Sequence, residues 1–181
     1  MRFTIALVAL LASTGVLGCT IQQPNLAPQV AEAPTQPMPF KGRLIDGDPS
    51  ELPPAVAMSL SRTSTVTFAY REELGHDEYH IPLIISAFDP VTYVGAPLGD
   101  YGVTAFASLS IVDGDRVVRD YTAKAHVTKS YSLYSEPTHQ ELERAARTAV
   151  RKTIDQKLYR DAAQLAAAVA SHGPAATGSD R

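Results

Sequence analysis

The densest set of potential metal ligands in this sequence lies between His76 and His80. Within five residues the chain carries two imidazoles and, between them, the carboxylates of Asp77 and Glu78. Two histidines four residues apart share one face of a helix, which is the spacing of helical zinc sites. A glycine and a proline flank the stretch and disfavour a helix, and no thiol completes a tetrahedral site. We therefore interpret the stretch as a solvated acidic turn, with a metal site at His76 and His80 as the alternative.

A second group with chemical potential is a row of three arginines. Arg144, Arg147 and Arg151 are spaced by three and four residues, so they fall on one face of a helix. Guanidinium groups bind phosphates and carboxylates strongly, so the row predicts a surface for an anionic partner: a headgroup phosphate, a lipopolysaccharide core or an acidic protein. The alternative is a solvated face partly neutralised within the helix by Glu143 and Asp155.

Patterns typical of common catalytic centres are missing from the sequence. It contains no G-x-S-x-G nucleophile elbow, no phosphate-binding glycine loop and no H-E-x-x-H zinc motif. The formal net charge of −3 gives no support to a nucleic-acid partner. We predict a protein that is not an enzyme, binds no cofactor and does not act on nucleic acid.

The only cysteine, Cys19, follows an N-terminal segment typical of export signals. One basic residue, Arg2, precedes an apolar run over residues 3–12 that is short for a bilayer span, and small residues follow. The order Val16-Leu17-Gly18-Cys19 resembles the lipobox of bacterial lipoprotein signal peptides. In that family the cysteine thiol receives a diacylglycerol and becomes the first residue of the mature chain.

This resemblance implies that residues 1–18 are a signal peptide and that Cys19 is the lipidation site. The acylated N-terminus would then attach the protein to a membrane. Thr20 follows the cysteine where an aspartate would retain the protein in the inner membrane, so the family's sorting rule favours the periplasmic face of the outer membrane. The inner membrane and the cell surface are the alternative locations. The N-terminal segment could instead be an ordinary signal peptide or a short membrane anchor.

The next segment, residues 19–39, is predicted to be a tether. It carries five prolines, its only charge is Glu32, and it has no apolar periodicity. Such a segment buries too little surface to offset the entropy lost on ordering, and proline favours an extended chain. We expect the folded domain to occupy residues 40–170, and residues 171–181 to form a disordered tail.

Short elements are predicted in the first half of the domain. Pro53 and Pro54 are suited to the start of a short helix, because proline at the first turn loses no useful hydrogen bond. Arg71–His80 is predicted to be a charged loop. Apolar patterning predicts strands over residues 41–45, 63–70 and 81–88.

A long hairpin and a long helix form the second half. Strand alternation runs from Tyr101 to Tyr131 around the turn signal Asp113-Gly114, with small alanines at the centre of both apolar faces. These alanines leave room for a bulky element. Apolar residues at three- and four-residue steps predict that this element is a helix over residues 139–170, which a capping box of Thr138 and Glu141 would begin.

The connection over residues 89–100 carries apolar side chains between helix- and strand-breaking residues. Tyr93, Val94 and Leu98 are the members of interest. Apolar groups in a loop either fold back over the core or bind a partner. We interpret the loop as a lid, and as the first choice of partner-binding surface if the protein docks through apolar groups.

These elements predict an α+β fold. We expect a two-layer sandwich of a mainly antiparallel four- to five-stranded sheet, with one short and one long C-terminal helix on one face. In element order the domain resembles small outer-membrane accessory lipoproteins, including the one that plugs the lipopolysaccharide-export β-barrel. That family usually enters its first strand soon after the cysteine, whereas here a proline-rich segment intervenes. Cys19 is the only functional residue of that family that can be assigned to a position in this sequence.

The functional prediction is a lipid-anchored periplasmic lipoprotein that serves as a non-enzymatic accessory or assembly component of a cell-envelope complex. Its partner would be an envelope protein. The alternative is a periplasmic lipoprotein that binds a small ligand or a metal. A pocket lined by convergent polar groups would favour the alternative, and a flat exposed apolar surface would favour the accessory role.

Overall fold

The structure is a computed structural model that describes residues 24–30, 34–77, 98–132, 134 and 138–171. These residues form five strands and two α-helices, with a 3-10 turn at Pro49–Glu51. In chain order the elements are β1 (Asn25–Ala27), β2 (Arg43–Asp46), α1 (Pro54–Ala57), β3 (Val66–His76), β4 (Gly99–Asp113), β5 (Arg116–Tyr131) and α2 (His139–Ala170).

The five strands form one sheet in the order β1-β5-β4-β3-β2. Strands β3, β4 and β5 are antiparallel neighbours, β1 runs antiparallel to β5, and only β2 is parallel to its neighbour. Helix α2 packs mainly over β4 and β5, and α1 lies against α2. The predicted two-layer α+β fold, with its mainly antiparallel sheet, is confirmed.

The β4–β5 hairpin explains how the long helix approaches the sheet. Ala105 pairs with Ala125 and Ala107 with Ala123 at the centre of the face that α2 covers. All four are at most 7% exposed. Methyl groups occupy little height above the sheet, so the helix side chains can fill the space that larger residues would take.

Regular alternation along the returning strand would place Val117 on the same buried face as Tyr121, but Val117 is 53% exposed. The register shifts between Ile111 and Val112, so that Ile111 pairs with Arg119 but Val112 pairs with Val117. Such an irregularity displaces the alternation of faces beyond it. The chain turns at Gly114, whose φ of +60° suits glycine.

Strand β3 is longer than the sequence patterning predicts. Residues 71–76 belong to the strand and pair with β4 up to His76 and Val103, so the prediction of a loop there is wrong. Charged residues at 71–73 suggested a solvated connection. Glu72, however, is buried because helix α2 supplies its counter-charges, a long-range contact that periodicity cannot reveal.

Helix α2 has the predicted bounds and runs without a break from His139 to Ala170. Its buried stripe consists of Leu142, Ala146, Ala149, Val150, Ile154, Asp155, Leu158 and Leu165. The predicted capping box does not form. Thr138 is the N-cap but its side chain makes no capping bond, and the Glu141 carboxylate binds Lys129 Nζ at 3.1–3.2 Å instead.

The prediction of a free tether needs correction at two places. Asn25–Ala27 form the edge strand β1 beside residues 126–128 of β5, and Met38 is 8% exposed within the core. The Met38 backbone N–H donates to the buried Ser59 hydroxyl at 2.7 Å. Strand pairing and one buried thioether hold a proline-rich segment whose composition alone suggests disorder. The predicted strand over 81–88 and residues 172–181 of the predicted tail lie outside the described residues.

Candidate functional site

The residues predicted to bind a partner or a metal do not converge on one site. Cys19, His80, Tyr93 and Val94 lie outside the described residues. Leu98 is half-buried against the core, and its N–H donates to the Tyr131 carbonyl at 2.8 Å. The rest of the predicted lid, residues 89–97, lies outside the described residues. The partner-binding role of the loop stays a prediction.

The arginine row divides between two environments. Arg147 donates to Glu51 at 2.7 Å and lies 3.0 Å from Glu72, and Arg151 lies 3.0 Å from the second oxygen of Glu72. Arg144 is exposed. Within the described part of the chain, its one polar contact is with the amide oxygen of Gln140, at 3.5 Å. Two of the three cations therefore hold the helix to the sheet and the 3-10 turn.

Glu72 is the centre of this network. Its side chain is 1% exposed and faces two guanidinium groups. The Tyr70 hydroxyl also donates to it, at 2.7 Å. Burial, reinforced by the adjacent Glu72 carboxylate, raises the pKa of Tyr70 above its ordinary range. A buried carboxylate that is fully bonded in this way stabilises one arrangement of β3 and α2, because a displaced helix would leave it unpaired.

The role of Glu72 was not predicted, although the strand pattern contains a signal for it. Val66, Phe68 and Tyr70 alternate inward, and the same period continues to Glu72 and Leu74. A carboxylate at an inward position requires a cation opposite it, and the arginine row was the available source. The intrahelical pairs expected instead are not those in the structure: Glu143 contacts His76, and Asp155 accepts from α1.

His76 is part of the polar surface but not of a metal site in the described residues. Its Nε2 lies 2.9 Å from Glu143 Oε1, an exposed pair that joins the end of β3 to the start of α2. No group of three potential metal ligands exists among residues that the structure describes. The proposed partnership of His76 with His80 stays untested, because His80 is not among those residues.

A hydroxyl, an imidazole and a carboxylate lie in a row on the face of the sheet opposite the helices. Thr104 Oγ1 is 2.9 Å from His126 Nδ1, and His126 Nε2 is 3.7 Å from Asp77. A side chain at Gly102 would collide with both Asp77 and His126, so the glycine permits their approach. His126 is half-buried in this row.

The chemistry of this row is limited by its position. The three groups match the constituents of a nucleophilic triad, but 3.7 Å exceeds a hydrogen bond between His126 and Asp77. Thr104 lies at the centre of β4, which pairs with a strand on each side. Backbone N–H groups engaged in these ladders cannot stabilise an oxyanion. We interpret the row as a polar contact that orders the sheet surface.

A buried acid lines a small cavity under residues 34–39. The cavity of about 70 Å³ is bounded by this segment and by Asp155, Leu158 and Tyr159 of α2. Asp155 Oδ1 accepts from the Ala55 N–H at 3.1 Å. Burial raises the pKa of Asp155 to about 6, despite that hydrogen bond. The sequence offered one signal, since Asp155 interrupts the apolar stripe of the helix.

An open groove of about 330 Å³ lies between the N-terminal segment and α2. Its lining residues are Leu26, Val30, Arg144, Ala145, Thr148, Ala149 and Lys152. The floor is therefore apolar and the helix supplies two cations. This groove was not predicted, because it requires β1 to lie beside the helix.

Comparisons with known proteins assign this chain to no family. No protein-family model matches the sequence, and no curated protein does. Among solved structures the chain is similar to a SecB-like chaperone of Mycobacterium tuberculosis in complex with a ChAD peptide from the HigA1 antitoxin. The identity is 17%, over 80% of this chain and 81% of that chain, with a TM-score of 0.36.

The chain is also similar to rare lipoprotein B from Shewanella oneidensis. Here the identity is 9%, over 73% of this chain and 96% of that chain, with a TM-score of 0.37. Values this low do not assign a family or a role. No helix in the described part of the chain combines the length and the apolar character that crossing a membrane requires.

Proposed function

We propose that this protein is a lipoprotein anchored at the periplasmic face of the outer membrane, where it serves as a non-enzymatic accessory or assembly component of an envelope complex. The observation that carries the proposal is the position of Cys19. It is the only cysteine, it follows an export-like segment, and it precedes the first strand by six residues. A lipid on this thiol would anchor the folded domain to the membrane through the few residues between Cys19 and β1.

The surface of the sheet supports a docking role. The helices cover one face, and on the other face Phe106 is 45% exposed among the described residues. Lys124 Nζ lies 5.0 Å from the centre of its ring. Aromatic groups that lose water on binding supply much of the energy of protein interfaces. Phe106 therefore joins Tyr93, Val94 and Leu98 as a candidate contact for an envelope protein.

The anchor is tested by metabolic labelling with a clickable palmitate. Wild-type protein should incorporate the label, and Cys19→Ser should not, because the serine hydroxyl is a poor acceptor for the lipid. The serine variant should also leave the membrane fraction. Equal labelling of the two proteins would refute lipidation at Cys19.

The accessory role is tested by crosslinking in cells followed by identification of the protein recovered. Tyr93→Ala combined with Leu98→Ala, and separately Phe106→Ala, should reduce recovery of the partner. Arg144→Ala is the comparison on the helix, because Arg147 and Arg151 hold structural ion pairs. Rim cations affect mainly association rate and salt dependence, so its effect should be smaller.

Circular dichroism must first show that each variant is folded. Unchanged recovery with both the loop pair and Phe106→Ala would exclude these surfaces as the docking site. Turnover of a substrate by the purified protein would contradict the non-enzymatic assignment.

A further inference from the structure

The groove between the N-terminal segment and α2 holds two cations that form no ion pair with a carboxylate of the described residues. Arg144 and Lys152 project from one face of α2 with Thr148 between them, about 12 Å apart along the axis. The lining residues include both cations and no carboxylate. By contrast, Arg147 and Arg151 are neutralised by Glu51 and Glu72. Within the described part of the chain, the groove thus combines an apolar floor with two cations that no carboxylate neutralises.

The groove is also close to the anchoring position. Leu26, which lines it, follows Cys19 by seven residues, and an extended chain of that length spans at most about 25 Å. Pairing of β1 with β5 fixes Leu26 against the domain. A lipid on Cys19 would therefore hold this side of the domain near the membrane surface, whereas a free tether ending at residue 39 would not.

We propose that the groove binds anionic phospholipid headgroups of the leaflet in which Cys19 is anchored, and so fixes the orientation of the domain. This inference rests on the proposed lipid anchor. Each lysine or arginine near an anionic leaflet favours contact about fivefold, so the pair favours it about thirtyfold. That is weak for a free protein, but anchoring makes the contact intramolecular and raises the effective headgroup concentration.

The proposed orientation has a consequence for docking. Helix α2 covers one face of the sheet, and Phe106 is exposed on the opposite face. When the groove side of α2 lies on the membrane, the Phe106 face points away from it. The candidate docking face would then be presented to a partner rather than buried against lipid.

The test uses the mature chain from Cys19, which contains every described residue, coupled through the Cys19 thiol to a maleimide lipid in vesicles. The chain has no tryptophan, so one can be introduced as a single probe. Thr148→Trp places it in the groove, and Thr122→Trp places it on the opposite face of the sheet. Quenching by a spin label on the lipid headgroup then reports which side faces the bilayer.

In vesicles with phosphatidylglycerol we expect quenching at position 148 to exceed that at position 122 severalfold. The difference should vanish in purely zwitterionic vesicles and in the background Arg144→Gln with Lys152→Gln. The control pair Lys124→Gln and Arg160→Gln removes the same amount of charge at positions outside the groove. This pair should preserve the quenching difference. Circular dichroism checks that every variant is folded.

Equal quenching at the two positions would overturn the inference. So would a difference that persists without the anionic lipid or without the two cations. Because the coupling is chemical, these outcomes do not depend on acylation in cells. Failure of the palmitate labelling would refute the natural anchor, whereas failure of the quenching difference would refute the lipid groove.

Discussion

Arg151 of the long helix donates two hydrogen bonds to the buried carboxylate of Glu72, from Nε at 3.0 Å and from Nη2 at 3.4 Å. The two residues are 79 positions apart in the chain. Arg147 approaches the same carboxylate from the preceding turn, at 3.0 Å. This buried network joins β3 to α2.

Replacing Glu72 by alanine should destabilise the fold by about 3 kcal/mol or more, because it leaves Arg151 partly buried without a counter-charge. Its neighbour Glu73 is exposed on the other face of the sheet. Glu73→Ala should therefore change the free energy of unfolding by less than about 0.5 kcal/mol. Urea unfolding of both variants decides the matter, and similar losses would show that Glu72 is not buried as described.

The buried Asp155 should make stability depend on pH. Its pKa is about 6 in the folded state, against about 3.9 in an unfolded chain. The unfolded chain therefore loses its proton first as the pH rises. Ionisation of Asp155 weakens the fold progressively from about pH 4 to pH 6, and the full penalty of about 3 kcal/mol persists above that range.

Asp155→Asn removes this penalty and keeps an oxygen that can accept from the Ala55 N–H. The free energy of unfolding of Asp155→Asn minus that of wild type should be about 2 kcal/mol larger at pH 8 than at pH 4.5, measured by urea unfolding at each pH. Asp115→Asn, at the exposed hairpin turn, is the control and should show no such trend. A flat difference between Asp155→Asn and wild type would mean that the carboxyl titrates normally.

The buried stripe of α2 can be tested with glycine at two nearby positions. Ile154 is fully buried and Lys152 is exposed. Ile154→Gly should cost on the order of 3 kcal/mol or more, since a core side chain is lost and glycine disfavours the helix. Lys152→Gly should cost about 1 kcal/mol, the helix-propensity effect alone. Equal losses in urea melts would contradict the described packing of this face.

Two strand-region glycines should respond in opposite ways to alanine. At Gly42 an added Cβ would collide with the ring of the fully buried Phe68. Gly42→Ala should therefore cost on the order of 1–3 kcal/mol. At Gly75 the nearest atom is the Thr104 carbonyl oxygen at 3.9 Å, so an extra methyl group fits.

Gly75→Ala should be neutral or stabilise the protein by up to about 1 kcal/mol, because alanine has less freedom in the unfolded chain. Thermal melts of the two variants provide the measurement. A stabilised Gly42→Ala protein would show that Phe68 can move aside.

Local patterning was enough to predict the long helix and the hairpin. Residues 139–170 carry a three- and four-residue apolar repeat, and the described helix has the same bounds. The alternation around Asp113-Gly114 predicted the two long strands, and the opposed alanines predicted that a bulky element covers them. These features depend on side chains close together in sequence, so a short window of the chain contains the information.

The candidate surfaces were predicted only in part. Arg144, Arg147 and Arg151 were recognised as one row, but their division between a buried ion-pair network and an open groove was not. That division depends on Glu72 and Glu51 reaching two of them and on Leu26 lying beside the third. Each is a contact between distant parts of the chain, which spacing on one helix does not encode.

The sequence by itself determined the long helix and the hairpin, and it singled out Cys19 as the candidate anchor. Tertiary structure decided that 71–76 extend a strand, that 25–27 pair at the sheet edge and that Met38 enters the core. All three segments are polar or flanked by prolines, so each buries too little apolar surface to offset its own ordering entropy. They are ordered because β4, β5, the Ser59 hydroxyl and two helix arginines supply hydrogen bonds and counter-charges from elsewhere in the chain.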